Sequence, residues 1–312
     1  MPKLAMALLM TVIPVTATLT ALPWKLLSLG GLLFLSLPIM LLAWSGLRKS
    51  TLIGPSWWSV AALLAWTGVE LQSALSPQPD SNLEPLRLAA IALSFCPVVA
   101  VLGAKRPQNL AWSFVVLALW GIVALPAAEN LVLHPGQRLT LGAARSWFLW
   151  LLILLGPINY FPTRFALGAG LVATGQLIAL SPYLALLKRP LVGESSFCGL
   201  ACCASAILVT WLISRRPRAT REPSNHLWLE FRDSFGLLWA LRVQERVNEL
   251  AREHREDCEL QWSGFHSASG VRAEPPTALG LSLKSLVRRF LSPDRIDEIL
   301  PGTQVPLAPN DA

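Results

Sequence analysis

Four arginines between residues 215 and 221 divide the chain into two parts of different composition. Before them lie repeated apolar runs of about 20 residues, the length that an α-helix needs to cross the hydrocarbon core of a bilayer. After them charged residues are frequent and the apolar runs stop. This pattern predicts an all-α polytopic membrane protein that ends in a small, mainly helical tail domain.

The net charge of +7 lies in the membrane part of the chain. Residues 1–214 carry 12 Lys and Arg against 5 acidic residues, whereas residues 215–312 carry 14 against 14. Basic residues in membrane loops set orientation, and a neutral tail gives no reason to expect nucleic-acid binding. A hydrophobic fraction of 53% with only 14% charged residues excludes an ordinary soluble protein of this length.

Eight apolar segments are predicted to be transmembrane helices. Residues 22–25 are expected to form the tight turn between the first two; cleavage of residues 1–22 as a signal peptide is the alternative. The predicted domains are a transmembrane bundle over 1–214, a basic linker over 215–225 and the tail over 226–312. The predicted spans are 4–22, 26–47, 57–75, 85–104, 110–128, 146–161, 165–187 and 195–214.

An even number of spans puts both termini on one side of the membrane. With the termini in the cytoplasm, ten basic residues fall on the inner side and five on the outer side, as the positive-inside rule requires. We therefore predict a multi-pass protein of the plasma or inner membrane with cytoplasmic N and C termini. Lys188 and Arg189, on the outer side, run against the rule.

The tail has its own pattern of secondary structure. Apolar residues at three- and four-residue steps over 227–255 predict a long amphipathic helix. Residues 258–265 alternate briefly and predict one short strand. A helix is expected at about 281–291, and Ser292 before Pro293 is typical of the N-cap and first turn of a last short helix.

An aromatic stripe on the long tail helix is the feature best suited to hold a protein partner. One interpretation packs the stripe against the later tail helices; the other has it grip a partner helix or lie on the membrane surface. The polar face of the helix carries mixed rather than basic charge, which disfavours membrane adhesion. The partner-binding candidates are Trp228, Phe231, Phe235 and Trp239.

Glu70 is the strongest candidate for a functional residue within the membrane. It lies five residues before the end of predicted span three, where a carboxylate is costly unless it is paired or hydrated. Arg87, near the start of span four, is predicted to pair with it, and Glu84 is a competing partner. A structural ion pair and a transport or catalytic site both fit this pattern. Gln176, in the middle of span seven, is a further intramembrane polar candidate.

A second group of candidates falls on the predicted outer loop between spans five and six. Histidine is the usual general base, a carboxylate can orient it, and arginines can clamp an anionic headgroup or a lipid-linked substrate. A solvated turn is the alternative, since His134 precedes Pro135. These outer-loop candidates are Glu129, His134, Arg138 and Arg145.

The sequence predicts neither a cofactor nor a metal site. It has no phosphate-binding glycine loop ahead of a lysine, no zinc-binding histidine pair and no nucleophile elbow. Cys198, Cys202 and Cys203 in span eight, beside Gly199, are interpreted as small residues that allow close helix packing.

Three functions are compatible with these observations. The first is a non-enzymatic scaffold or assembly subunit whose cytoplasmic tail docks a protein partner, because catalytic motifs are lacking and the tail helix is aromatic. The second is a transporter or permease for a small solute or a lipid-linked molecule, based on proline-containing helices and on Glu70 with Arg87. The third is a membrane enzyme acting at the outer face through the loop that contains His134. The lipid bilayer is the partner common to all three.

Overall fold

The computed structural model describes residues 2–75, 80–187, 189–217, 222–267 and 269–300; the side chains of 2–23, 45, 80–82 and 109–110 lie outside this description. Helices dominate, and one antiparallel hairpin of two strands lies in the tail. In chain order the elements are α1 Pro2–Leu47, α2 Ile53–Leu75, α3 Asp80–Leu93, α4 Cys96–Leu102, α5 Asn109–Leu133, α6 Ala143–Tyr160, α7 Ala166–Leu180, a 3₁₀ turn Ser181–Tyr183, α8 Ser195–Ser214, α9 Pro223–Glu253, β1 Cys258–Gln261, β2 Gly264–Ser267, α10 Thr277–Val287 and α11 Pro293–Ile299.

The first helix is continuous through the turn that was predicted at residues 22–25. At 1.5 Å per residue α1 is about 69 Å long, more than twice the thickness of the hydrocarbon core. The predicted turn is wrong because Pro23 is its only turn-forming residue, with no Gly, Asn or Asp beside it to reverse the chain. Residues 2–47 are therefore one helix and not two spans joined by a turn.

Five helical segments within the described residues are long and apolar enough to cross a membrane. They fall on predicted spans two, four, five, seven and eight, so the chain has the helix content of a multi-pass integral membrane protein. α2 and α6 form where spans three and six were predicted, but they are not among these five. The five segments are Trp24–Trp44, Leu83–Leu102, Ala111–Leu133, Ala166–Tyr183 and Ser195–Ser214.

Predicted span four is divided into two helices. α3 ends at Leu93 and α4 begins at Cys96, directly before Pro97, whose ring cannot continue the hydrogen-bond pattern of the preceding turn. The break exposes Ser94, whose hydroxyl and carbonyl oxygens accept hydrogen bonds from Nε2 of Gln176 on α7, at 3.0 and 3.3 Å. The Gln176 side chain is 4% exposed, so this polar joint lies inside the bundle.

Helices α7 and α8 pack with their backbones in contact. A Cβ atom at Gly175 would lie 2.6 Å from the carbonyl oxygen of Gly199, and one at Gly199 would lie 2.5 Å from that of Gly175. The thiol of Cys203 faces the carbonyl oxygen of Val172 at 3.9 Å. Close packing by small residues, predicted for Gly199 and Cys203, is confirmed. The residues predicted to take part on span seven were Ala166, Gly170 and Thr174, whereas the contact lies at Gly175.

The tail builds a core around Phe290. The rings of Phe231, Phe235 and Trp239 each lie about 5 Å from the Phe290 ring. The single strand predicted at 258–265 is a hairpin of β1 and β2, and the helix predicted at 281–291 begins four residues earlier, at Thr277. The predicted last helix is confirmed: Ser292 accepts a hydrogen bond from the backbone N–H of Arg295 at 3.3 Å, ahead of α11.

The long tail helix contains a break that was not predicted. Gly236 has φ +78° and ψ −171°, a conformation essentially restricted to glycine. The side chain of Asn159, at the end of α6, fits against this break: its Nδ2 donates to the carbonyl oxygen of Phe235 at 3.4 Å, and its Oδ1 accepts from the N–H of Leu238 at 3.1 Å. A bundle residue therefore satisfies backbone groups that the broken helix leaves open.

The tail docks on three loops of the bundle. These are residues 48–52 between α1 and α2, 103–108 between α4 and α5, and 161–165 between α6 and α7. All three loops therefore lie on the same side of the bundle, which we call the tail side. The hydrogen bonds are Ser292 N to Lys49 O at 2.7 Å, Thr51 N to Phe290 O at 2.9 Å, Arg106 N to Arg289 O at 3.0 Å and Trp262 Nε1 to Pro162 O at 2.8 Å.

One ion pair at this docking surface predicts a pH dependence. Hydrogen bonds from Lys49 and Arg295 hold the pKa of Glu298 below its usual value of 4.5. Because the pKa of Glu298 is lower in the folded than in the unfolded state, its ionised carboxylate stabilises the docked tail above pH 4.5. This stabilisation is lost as the pH falls through the lower pKa of the folded state. We expect the apparent melting temperature of the tail to fall between pH 5 and pH 3 more steeply in the native protein than in Glu298→Gln. Equal slopes would contradict this role, and the Glu249→Gln variant, whose carboxylate pairs only within α9, is the control.

Candidate functional site

A polar cluster joins α2, α3 and α8 near the end of the bundle opposite the tail. The Glu70 carboxylate is 8% exposed, and its Oε1 lies 3.5 Å from Nε of Arg87. The same oxygen accepts a hydrogen bond from the hydroxyl of Ser196 on α8, which in turn accepts from the indole Nε1 of Trp66 at 3.0 Å. Glu70 and Arg87 are therefore side by side, as predicted, and Ser196 and Trp66 are partners that the sequence did not reveal.

Glu84 does not take Glu70's place beside Arg87 but anchors the loop after α5. Its Oε2 accepts from the backbone N–H of Leu139 at 3.2 Å. Arg87 also donates to the hydroxyl of Ser73. Two carboxylates and one guanidinium thus connect three helices and one loop at this end of the bundle. Such a network fixes helix positions and is also able to carry a proton or an ion.

The outer-loop candidates do not form one site. Arg145 Nη1 and Glu129 Oε2 are 3.3 Å apart, but both side chains are nearly half exposed. His134 ends α5 and is exposed, as is Arg138, and within the described residues no hydrogen bond or ion pair joins either side chain to Glu129 or Arg145. The geometry gives His134 no carboxylate to orient it as a general base.

The aromatic stripe of the tail lies in the interior of the tail domain. Trp228, Phe231 and Phe235 have no exposed surface, and Trp239 is 8% exposed. The Trp239 indole also donates to the carbonyl oxygen of Val101, at the end of α4, at 2.9 Å. The stripe therefore packs within the chain, and these four side chains offer no surface to a partner or to the membrane.

A cavity of about 550 Å³ occupies the tail-side half of the bundle. Its walls come from α1, α2, α4, α6, α7 and α8 and are mostly apolar. Polar groups line it at two levels: Gln176 with Ser94 at the inner end, and Tyr160 with Asp233 and Ser234 where the tail meets the bundle. A mostly apolar cavity with a few fixed polar groups is typical of a site for a small organic ligand.

Asp233 is a buried acid that sequence reasoning missed. It is 2% exposed, and its carboxylate lies 2.7 Å from Nη2 of Arg232 and 3.5 Å from Nε of Arg164. The only signal in the sequence is one acidic residue inside the aromatic stripe, between Phe231 and Phe235. Arg164 lies in the loop between α6 and α7, so its contact with Asp233 depends on the docking of the tail.

No group of three or more His, Cys, Asp or Glu side chains suited to a metal ion occurs among the described residues. Comparison of the chain with protein-family models, with curated proteins and with solved structures gave no match.

Proposed function

We propose that this protein is a transporter or permease that holds a lipid-like or lipid-linked amphiphile inside its membrane bundle. The observation that carries this proposal is the apolar cavity of about 550 Å³ in the tail-side half of the bundle. Its volume lies within the range of small-molecule sites, and its apolar wall favours a hydrocarbon chain over a soluble solute. Gln176 and Asp233, at opposite ends of the cavity, are polar groups suited to orient the occupant.

The Glu70 cluster fits the same function. It adjoins the cavity, because Trp66, which donates to Ser196, also lines the cavity, and it links α2, α3 and α8. A transporter needs an element with two arrangements, and loss of the contact between Glu70 and Arg87 would free α2 and α3 to repack. We infer that Glu70 couples the packing of these helices to the state of the cavity.

The scaffold function loses one of the two observations on which it was based. The aromatic side chains expected to hold a partner are used in the core of the tail, so docking of a protein through Trp228, Phe231, Phe235 and Trp239 would require the tail to open. An enzymatic role at the outer loop is also less well supported, because no carboxylate among the described side chains pairs with His134.

Orientation follows from the loops that contact the tail. We infer that the tail side is cytoplasmic and that the protein resides in the plasma or inner membrane. The loops and linker on that side carry nine basic residues, against five on the opposite side. Since residues 2–47 form one helix, the prediction that both termini are cytoplasmic loses its premise, an even number of spans. We infer seven passes between Trp24 and the linker, which counts α2 and α6 together with the five apolar segments. The nine are Arg48, Lys49, Lys105, Arg106, Arg164, Arg215, Arg216, Arg218 and Arg221.

A cavity-filling variant tests the proposal. Gly156 lines the cavity on α6, and only one atom, Cγ2 of Val98 at 3.8 Å, lies near the position of an added Cβ. Gly156→Trp should therefore fold. We expect the purified variant to contain about one tenth or less of the amphiphile that co-purifies with the native protein, since a clash of about 1.4 kcal/mol weakens an affinity tenfold. The bound amphiphile is measured by solvent extraction and mass spectrometry of the detergent-purified protein.

Leu151→Trp is the matched control, because Leu151 is on the same helix but 62% exposed on its outer surface. It should keep the native content of amphiphile and a similar melting temperature. Equal content in the native protein and in Gly156→Trp would overturn the proposal, as would a native protein that carries no amphiphile.

A further inference from the structure

A second pocket, of about 730 Å³, lies outside the bundle where α7 and α8 meet the tail. It is separate from the cavity, because it is lined by the opposite faces of these two helices. Four arginines reach it from four different parts of the chain: Arg164 before α7, Arg216 after α8, Arg232 in α9 and Arg272 after the hairpin. Among the described residues that line the pocket, Asp233 is the one acidic residue.

Three of the four arginines contact the tail, and Arg164 does so through Asp233, 3.5 Å from its Nε. Arg232 is fixed by the Asp233 carboxylate and by the carbonyl oxygen of Trp262, which accepts from its Nη1 at 2.7 Å. Nη2 of Arg272 donates to the carbonyl oxygen of Ser263 at 2.8 Å. Four guanidinium groups against one carboxylate leave a local charge of +3. Guanidinium groups in fixed positions are well suited to bind phosphate, because each presents its N–H groups in a planar fork.

The opposite wall of the pocket is apolar. It consists of Leu167 on α7 and of Val209, Leu212 and Ile213 on α8. Leu167 is 69% exposed and Leu212 is 50% exposed, and both belong to segments that are apolar enough to cross a membrane. Arg216 follows the α8 segment directly, so the basic part of the pocket lies at the level where lipid headgroups meet the hydrocarbon core.

We propose that this pocket binds the phosphate of an anionic phospholipid from the leaflet on the tail side, with an acyl chain along the α7–α8 wall. A soluble phosphate compound would use the arginines but would gain nothing from the exposed leucines. The site goes beyond the proposed transport function, since its residues, apart from Asp233, do not line the cavity. Arg232 and Arg272 reach the pocket only when the tail is docked, and Arg164 reaches it from the loop before α7. A lipid bound by these three arginines would therefore also stabilise docking of the tail.

The test compares lipids retained by the full-length protein. Native protein and the Arg216→Gln, Arg272→Gln double variant are purified from nanodiscs that contain phosphatidylglycerol and phosphatidylcholine in equal amounts, and the retained lipids are quantified by mass spectrometry. We expect the native protein to be enriched in phosphatidylglycerol, and the enrichment to fall by about fivefold for each arginine removed, the effect of one basic residue near an anionic membrane surface. Arg232 is left unchanged because its loss would leave Asp233 buried without its closest partner.

Three further measurements decide the outcome. Arg246→Gln with Arg252→Gln removes the same charge from exposed positions of α9 and should leave the enrichment unchanged. Arg216→Lys with Arg272→Lys should restore part of it. Inorganic phosphate at millimolar concentration should neither displace the lipid nor raise the melting temperature as much as phosphatidylglycerol does. Equal enrichment in the native protein and the pocket variant would overturn the proposal, and so would equal stabilisation by inorganic phosphate. The Gly156→Trp variant should keep the enrichment, so that failure at the cavity and failure at this pocket are distinguishable.

Discussion

Replacing Gly236 with alanine should detach the tail from the bundle. A Cβ atom at this position would lie 2.3 to 2.7 Å from three atoms of the Asn159 side chain, and the backbone has φ +78° with ψ −171°, where residues other than glycine are strained. We expect the free energy of unfolding to fall by about 3 kcal/mol or more, since backbone strain of this kind alone costs of order 1–3 kcal/mol and the clash with Asn159 adds to it. The measurements are the melting temperature in detergent and the rate of proteolysis at the linker of residues 215–225.

Gly270→Ala is the matched control for backbone strain without a clash. Gly270 has φ +75°, close to that of Gly236, but no atom lies within 4 Å of an added Cβ. Gly270→Ala should therefore lower the free energy of unfolding by only about 1–2 kcal/mol and leave the linker protected from proteolysis. If Gly236→Ala and Gly270→Ala are equally destabilised, the fit between Asn159 and the break in α9 does not hold the tail.

The contact itself is isolated by a double-mutant cycle. Asn159→Ala alone leaves the carbonyl of Phe235 and the N–H of Leu238 without their partner, which costs about 1–3 kcal/mol for a buried polar group. Combined with Gly236→Ala, however, it also removes the clash. The loss in the double variant should therefore be smaller than the sum of the two single losses.

The break at Gly236 marks the limit of what periodicity predicts. Apolar residues continue at three- and four-residue steps on both sides of it, so the sequence indicates one helix over 227–255, and one glycine in such a pattern is common. The break depends on Asn159, which belongs to another domain of the predicted organisation. The docking of the tail was not predicted for a related reason: three of its hydrogen bonds join only backbone groups, which leave no pattern in the sequence.

Local features were predicted well. The cap at Ser292 needs only neighbouring residues, and the pairing of Glu70 with Arg87 follows from a short connection between two apolar segments. The turn at residues 22–25 was wrong because the argument rested on the length of the apolar run, which one long helix satisfies equally well. The cavity was suggested only by the prolines, and neither its position nor its lining could be derived without the packing of six helices.

Glu70→Gln should destabilise the bundle by about 3 kcal/mol. The carboxylate is 8% exposed and lies between the Arg87 guanidinium and the Ser196 hydroxyl, so neutralising it removes the charge that faces a largely buried guanidinium. Arg87→Gln should cost a similar amount, and the double variant should lose little more than either single variant, because the first substitution has already removed the interaction between the two charges. The free energy of unfolding is measured by steric trapping in bicelles.

The exposed ion pair between Glu129 and Arg145 supplies the control for this cycle. Its atoms are 3.3 Å apart, close to the 3.5 Å between Glu70 and Arg87, but both side chains are nearly half exposed. Its coupling energy should therefore be below about 1 kcal/mol. Burial, rather than distance, is what makes the Glu70 pair strong. Additive losses at Glu70 and Arg87 would contradict this account, because they would show that the two side chains do not stabilise each other. They would also remove the basis for coupling Glu70 to the cavity, which requires that the ionised carboxylate hold Arg87 in place.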